Sequence, residues 1–475
     1  MIFTTFAFEV FFVIVFSLYL AFKSRVFRHI LLLVSSSFFY AWWDYRYLAL
    51  MWTVILVSYG TGLLLEKRPQ HRKLSLACGV TLLLGLLGLF KYHNFFLQSL
   101  AGWANSIGWG LNFAPIKSVL PVGISFYVFH GISYIVDAYR GIIPVEKNPM
   151  TVALYISYFP QLVAGPIVRA SDFIPQLNRN VVVSEYYLAT GLREFVLGFV
   201  YKTAFADSLA QFADPIFSAI WRYSNSSLVA ATFAFYGQIY FDFAGYSLMA
   251  IGLARMMGYN FPPNFDYPYQ STSITEFWRR WHISLSTWLR NYLYFPLGGN
   301  RLGKLKQYRN LVITMLLGGL WHGGSWNFVL WGGLHGMALA VHKLFLPEQR
   351  VEEKVHARMN FLILSWLITQ LFVLLCWVPF RLPHFSQTME VYSAFLRVRG
   401  DRGLLHASIN YGLLFVPLAI DATLGKLDRG ALEKLSAWVP EPRRALVICF
   451  VIGLMFALAL TTISMTVNPF IYFQF

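Results

Sequence analysis

Leu311-Val312-Ile313-Thr314-Met315-Leu316-Leu317-Gly318-Gly319-Leu320 runs without a charge into Trp321-His322-Gly323-Gly324. A second apolar run follows at once, over 325–346. Apolar stretches of about 17–25 residues recur along the chain and do not alternate with period two, so they read as membrane-crossing or re-entrant helices rather than strands. Composition agrees, since the 475 residues are 57% hydrophobic and only 13% charged, with a mean hydropathy of +0.54. A soluble domain carries about 25% charged residues and cannot bury such an apolar excess in one core. A secreted, cytosolic or disordered protein is excluded, and the fold class is all-α integral membrane. The 44 Phe and 15 Trp suit helices packed in lipid with ring belts at the interfaces.

Windows of about 19 residues predict spans near 6–22, 29–43, 47–65, 74–91, 118–137, 150–168, 188–207, 228–257, 310–324, 325–346, 360–380, 410–425 and 445–465. Several are short or broken by glycine and proline, which gives roughly 11 to 13 crossings or re-entrant segments. The hydrophobic gaps are 92–117, 258–309 and 383–408. No repeat and no low-complexity tract interrupts the chain, so residues 1–475 read as a single membrane domain. The net charge of +16 sits in short loops, where topogenic charge and anionic headgroups account for it better than nucleic acid does. Lys23, Arg25 and Arg28 follow the first span and Lys67, Arg68, Arg72 and Lys73 the third, which favours an external N-terminus. Residues 5–22 run into Lys23 without a small-residue cleavage site, so no cleavable signal peptide is expected. Cys78, Cys376 and Cys449 lie in apolar segments and make neither a disulfide framework nor a metal spacing.

The middle gap is aromatic and basic at once. Ser273 followed by Glu276 is a capping box, so a helix is predicted from Ser273 to Arg290. On it Phe277, Trp278, Trp281, Leu285, Trp288 and Leu289 share one face, and Arg279, Arg280, His282, Ser286 and Arg290 the other. Such a helix lies at a membrane interface, with His282 within reach of water. Its arginines either rest on lipid phosphates or hold an anionic substrate entering from the cytoplasm. Arg301, Lys304, Lys306 and Arg309 follow in a basic loop. His322 then closes an apolar span between glycines that let a substrate approach the backbone. Intramembrane ionisable groups face protein or water, and a neutral imidazole can take a proton from a hydroxyl. A hydrogen-bonded packing histidine is the alternative. His335, in Trp331-Gly332-Gly333-Leu334-His335-Gly336, is a second glycine-flanked histidine. No H-E-x-x-H, G-x-S-x-G or P-loop occurs, so a zinc hydrolase, a serine hydrolase and an ATPase lack their parts.

Phe277-Trp278-Arg279-Arg280-Trp281-His282-Ile283-Ser284-Leu285-Ser286-Thr287-Trp288-Leu289-Arg290, the Pro296-Leu297-Gly298-Gly299-Asn300-Arg301 block and Leu317-Gly318-Gly319-Leu320-Trp321-His322-Gly323 resemble the signature of the membrane-bound O-acyltransferase superfamily. Within it they are most similar to the bacterial polysaccharide (alginate-type) O-acetyltransferases. The likeness extends over most of the chain, through 121–127, Ser133 to Gly141, Phe159 to Pro166, Tyr240-Phe241-Asp242-Phe243 and the ending Asn468-Pro469-Phe470-Ile471-Tyr472-Phe473. The resemblance implies a ring of tilted helices around a central tunnel, in a multi-pass protein of the bacterial inner membrane. It implies acetyl-CoA as cytoplasmic donor substrate with no bound cofactor, and as acceptor an exported polysaccharide or an external protein that completes the transfer. His322 takes the place of the family's catalytic histidine, Asn291 that of its second polar residue, and His335 lines the tunnel. Trp321, Arg279, Arg280, His282, Arg301 and Lys304 are the expected substrate-binding residues. Close relatives carry Asp where this chain has Asn291 and Leu248, and an amide at 291 can orient a carbonyl or hydroxyl but cannot exchange a proton. Teichoic-acid-type D-alanyl transfer from a carrier protein, and a non-enzymatic role in exopolysaccharide export, are the rival readings.

Overall fold

A computed structural model describes residues 1–115, 120–345 and 359–397, together with Ala419 and Thr423. Apart from those last two positions, the expected spans 410–425 and 445–465 lie outside the described residues, as do Cys449 and the 468–473 motif. Among the described residues all regular structure is helical and no strand occurs, as the apolar spacing required.

The chain gathers into two compact units, one made of Met1–Phe195 with Tyr246–Pro262, the other of Val196–Gly245 and the residues from Pro263 onward. The first holds α1 (Phe6–Ala21), α2 (Arg25–Asp44), α3 (Leu48–Lys67), α4 (Arg72–Leu87), α5 (His93–Ser106), α6 (Ile124–Arg140), α7 (Pro149–Ser157), α8 (Phe159–Leu162), α9 (Ala170–Leu177) and most of α10 (Glu185–Val200). Helix α6 is buried along nearly its whole length, packed by α3 and α4. By contrast Val34, Phe38, Leu56, Leu74 and Leu82 on α2–α4 are exposed. Large apolar side chains on the outside and a packed interior are what lipid contact allows and water does not.

One expectation for this unit is corrected. The span predicted over 150–168 is interrupted, because Tyr158 leaves helical geometry (ψ 114°) between α7 and α8. Pro160 would break a continuous helix by removing a backbone donor, and the interruption places it instead in the first turn of α8, where no donor is needed. The hydrophobic gap from 92 is helical as far as Ser106, because α4 passes through a π-turn, Gly88–Tyr92, directly into α5.

The second unit holds α11 (Asp207–Ser218), the first part of α12 (Asn225–Met256), α13 (Ile274–Arg280), α14 (Ile283–Leu289), α15 (Lys304–His322), α16 (Trp326–Phe345), α17 (Met359–Arg381) and α18 (Phe385–Arg397). Four helical stretches among the described residues are long and apolar enough to cross a membrane: Arg25–Lys67 and Pro69–Ser106 in the first unit, Trp326–Phe345 and Met359–Arg381 in the second.

Helices α15 and α16 run antiparallel with their backbones in contact. A Cβ added to Gly319 would strike the Phe328 carbonyl oxygen, and one on Gly332 the Met315 carbonyl oxygen. One turn further, a Cβ on Gly336 would lie 2.9 Å from the Cα of Val312. Between helices in lipid, small residues at this spacing supply the close packing that hydrophobicity cannot. Gly332→Ala is therefore expected to destabilise the protein by about 1–3 kcal/mol, read as a lowered Tm in detergent. Gly333→Ala places its methyl 3.4 Å from a Leu316 methyl, an ordinary contact, and should leave Tm unchanged or slightly raised. Equal Tm values for the two variants would contradict the backbone contact.

Candidate active site

The N-cap is in place, with the Glu276 N–H donating to Ser273 Oγ at 3.2 Å, while the return bond to Glu276 Oε2 comes from the N–H of the preceding Thr272 at 2.9 Å. The single helix predicted over Ser273–Arg290 is corrected: α13 ends at Arg280, Trp281 is extended, and α14 starts only at Ile283. Between them His282 adopts the left-handed region, φ 42° and ψ 55°, a strain of about 1–3 kcal/mol for a residue with a side chain. Asn264 compensates it. The Ile283 N–H donates to the Asn264 carbonyl oxygen (2.8 Å), while Asn264 Oδ1 accepts from Ser284 Oγ (2.8 Å) and from the Ser284 N–H (3.3 Å).

The break turns both Trp281 and His282 inward, so the expectation that water reaches His282 is also corrected: the side chain is completely buried. A helix continuous through 282 would have left it on the polar face. Burial pushes the His282 pKa down to about 3, keeping the imidazole neutral. Its Nδ1 lies 3.0 Å from Asn264 Oδ1. Because the Ser284 N–H can only donate, the atom it meets is the amide oxygen, so Nδ1 carries the proton and Nε2 is left with a lone pair.

From His282 a line of rings runs through the second unit. The His282 ring is 5.9 Å from Trp321, Trp321 is 4.9 Å from His322, His322 is 5.0 Å from Trp331, and Trp331 is 4.7 Å from His335. Phe380 closes on His322 at 5.0 Å, and Trp377 stands against Trp331 at 5.8 Å. His322, the last residue of α15, and His335, in the middle of α16, are both buried. The glycine contacts between the two helices set the spacing of these imidazoles.

His335 has the opposite tautomer to His282. Trp278 Nε1, which is a donor only, donates to His335 Nδ1 at 3.2 Å. That nitrogen is therefore unprotonated, and in the neutral ring the hydrogen sits on Nε2. Neither His335 Nε2 nor Trp331 Nε1 meets a hydrogen-bond partner among the described residues.

The other expected residues divide. Trp321 is buried within the ring line. Asn291 is half-buried in a π-turn, Arg290–Tyr294, that follows α14 directly. Arg279, Arg301 and Lys304 are exposed. Arg280 pairs internally with Glu276 at 2.9 Å and Asp266 at 3.5 Å, so its charge is already matched. Asn264, Trp278, Trp331 and Phe380 were not singled out as site residues; a short polar side chain after two prolines and rings on apolar faces carry no local signal of a site. Among the described residues no group of three or more His, Cys, Asp or Glu is placed to hold a metal ion.

Residues 144–381, which include every side chain of this cluster, match the model of the membrane-bound O-acyltransferase family. The chain is 43% identical over 373 residues to the probable alginate O-acetylase of Pseudomonas putida, covering 78% of this chain and 74% of that protein. It is 37% identical over 406 residues to the peptidoglycan O-acetyltransferase of Helicobacter pylori, covering 80% and 75%. With the teichoic acid D-alanyltransferase of Bacillus subtilis it shares 29% identity over 245 residues, 49% of this chain and 61% of the relative.

The role given to Asn264 can be tested directly. Asn264→Ala leaves a buried backbone N–H, a hydroxyl and an imidazole N–H without their acceptor and should cost at least about 2 kcal/mol. Asn264→Asp keeps the accepting oxygen and should retain more of the stability than Ala does. Unfolding followed in detergent decides it, and equal losses in the two variants would refute the acceptor role.

Proposed function

The chain belongs to the membrane-bound O-acyltransferase family, and from that premise we propose that it transfers acetyl from cytoplasmic acetyl-CoA to a hydroxyl of an exported polysaccharide, directly or through an external acceptor protein. As a family member it is an acyltransferase and a membrane protein. In our reading it is one multi-pass domain of the bacterial inner membrane, a ring of helices around a tunnel, with its N-terminus outside.

The observation that carries the chemistry is His322. It is a buried imidazole at the end of an apolar helix, walled by Trp321, Trp331 and Phe380 and inside the region matching the family model. A neutral imidazole there takes the proton of the acceptor hydroxyl as the hydroxyl oxygen bonds to the thioester carbonyl carbon. The carbonyl electron pair moves onto oxygen, and its return expels the CoA thiolate. The imidazolium then gives its proton to that thiolate, leaving an ester and a free thiol. Asn291 orients the reacting groups by hydrogen bonding and exchanges no proton. The exposed Arg279, Arg301 and Lys304 form a basic rim for the CoA phosphates.

Both the putida and pylori relatives act, by name, in O-acetylation, and each matches more of this chain than the D-alanyltransferase does. That difference supports acetyl over D-alanyl transfer.

His322→Ala should lower acetyl-CoA consumption by roughly 10²–10⁴ in purified, monodisperse protein supplied with acceptor, while Asn291→Asp stays active. Near wild-type turnover in His322→Ala would overturn the reading. Neutralising Arg301 and Lys304 together should raise KM for acetyl-CoA and weaken its dependence on salt; an unchanged KM returns the rim to lipid contact. Reporters fused at Arg25 and Arg68 should both read cytoplasm, and opposite readings would overturn the external N-terminus.

A further inference from the structure

Among the described residues three buried N–H donors around the ring line meet no acceptor, those of Trp331, Trp377 and His335, and the Trp331 and His335 donors both stand on α16. Trp331 Nε1 is buried and an indole N–H cannot accept. His335 Nε2 is buried as well, and it holds the ring hydrogen because Nδ1 is taken by Trp278. A buried donor without an acceptor costs about 1–3 kcal/mol, so two of them on adjoining rings call for a ligand that accepts.

Their placement narrows that ligand. Residues 331 and 335 are one turn apart on α16, and their rings are 4.7 Å apart. The Trp331 ring stands edge-on to His322 at 5.0 Å. The backbone contact of α16 with α15 at Gly332 and Gly319 holds all three rings on rigid elements. A lone indole N–H is met by a buried water; two donors on adjoining rings, one of them the Trp331 ring that touches His322, match the demand of an acyl carbonyl oxygen gaining charge.

We propose that Trp331 Nε1–H and His335 Nε2–H together form the oxyanion hole of this enzyme, receiving the thioester carbonyl oxygen. This rests on the reading of His322 as the base. During attack the carbonyl π pair moves onto that oxygen and the two N–H groups stabilise it without giving up a proton. On collapse the pair returns to the carbonyl and the sulfur leaves as thiolate, to be protonated by the imidazolium of His322. The site selects a planar carbonyl whose oxygen gains negative charge, so donors bind the transition state more strongly than the thioester.

The test deletes each N–H with little change in side-chain volume, the His335→Leu change also removing the acceptor of Trp278. Trp331→benzothienylalanine preserves both rings and lacks the donor; His335→Leu removes the second donor, and His335→Gln offers an amide N–H in its place. Each deletion should lower kcat roughly 10²–10³-fold with KM for acetyl-CoA moved far less, and Gln should recover much of what Leu loses. Trp377→benzothienylalanine makes the same change one ring further from His322, and its kcat should stay at the wild-type value. Full kcat in the Trp331 variant overturns the proposal, and so does a Gln variant no better than Leu with both folded by their Tm. His322→Ala run alongside separates the two claims: if it is inactive while the Trp331 variant turns over normally, only the oxyanion hole falls. If it remains active, the base falls, and the proposal with it.

Discussion

Backbone contact between α15 and α16 is the constraint on which the arrangement of the candidate site rests. At Gly319 and Gly332 a carbonyl oxygen of the opposing helix occupies the space a Cβ would need. Helices this close cannot slide by a residue without a collision, since each glycine must meet its own carbonyl. Register between the two helices is therefore specified sterically. His322 ends one helix and Trp331 and His335 lie on the other, so a shift of one residue would carry them about 1.5 Å out of place along the axis. Reactive groups held on helices rather than loops keep the sub-ångström placement that acyl transfer rewards.

Around that pair the interior is aromatic, which has an electrostatic consequence. Rings exclude water without supplying strong hydrogen bonds, so each nitrogen left inside must be satisfied by a specific neighbour or by substrate. Asn264 satisfies His282 and Trp278 satisfies His335, each through Nδ1. The partners differ in kind, one an acceptor and the other a donor, and so the two imidazoles present opposite faces at Nε2: a lone pair on His282, a hydrogen on His335. Two histidines of one composition thus acquire different chemistry from one hydrogen bond apiece.

Strain at His282 belongs to the same design. A left-handed backbone at a residue with a side chain persists only when its surroundings over-determine it, and here Asn264 holds the segment by its backbone and its amide. The result is a sharp reversal between two short helices that sends consecutive residues, Trp281 and His282, into the interior together. A regular helix would have put them 100° apart, with one of them facing outward.

The sequence by itself determined the membrane class, the helical character of the spans, the start of α13 at its capping box and the place of His322 at the end of an apolar run, because composition, periodicity and capping are properties of neighbours along the chain. It also carried the family, through motifs spread over most of its length. Tertiary structure alone decided the break at His282, the burial of that side chain, the internal pairing of Arg280 and, among the described residues, the unmet donors of Trp331 and His335. The hydrogen bonds responsible join residues 18 and 57 positions apart, Asn264 to His282 and Trp278 to His335. No local window contains both partners, and a tautomer is set by the partner.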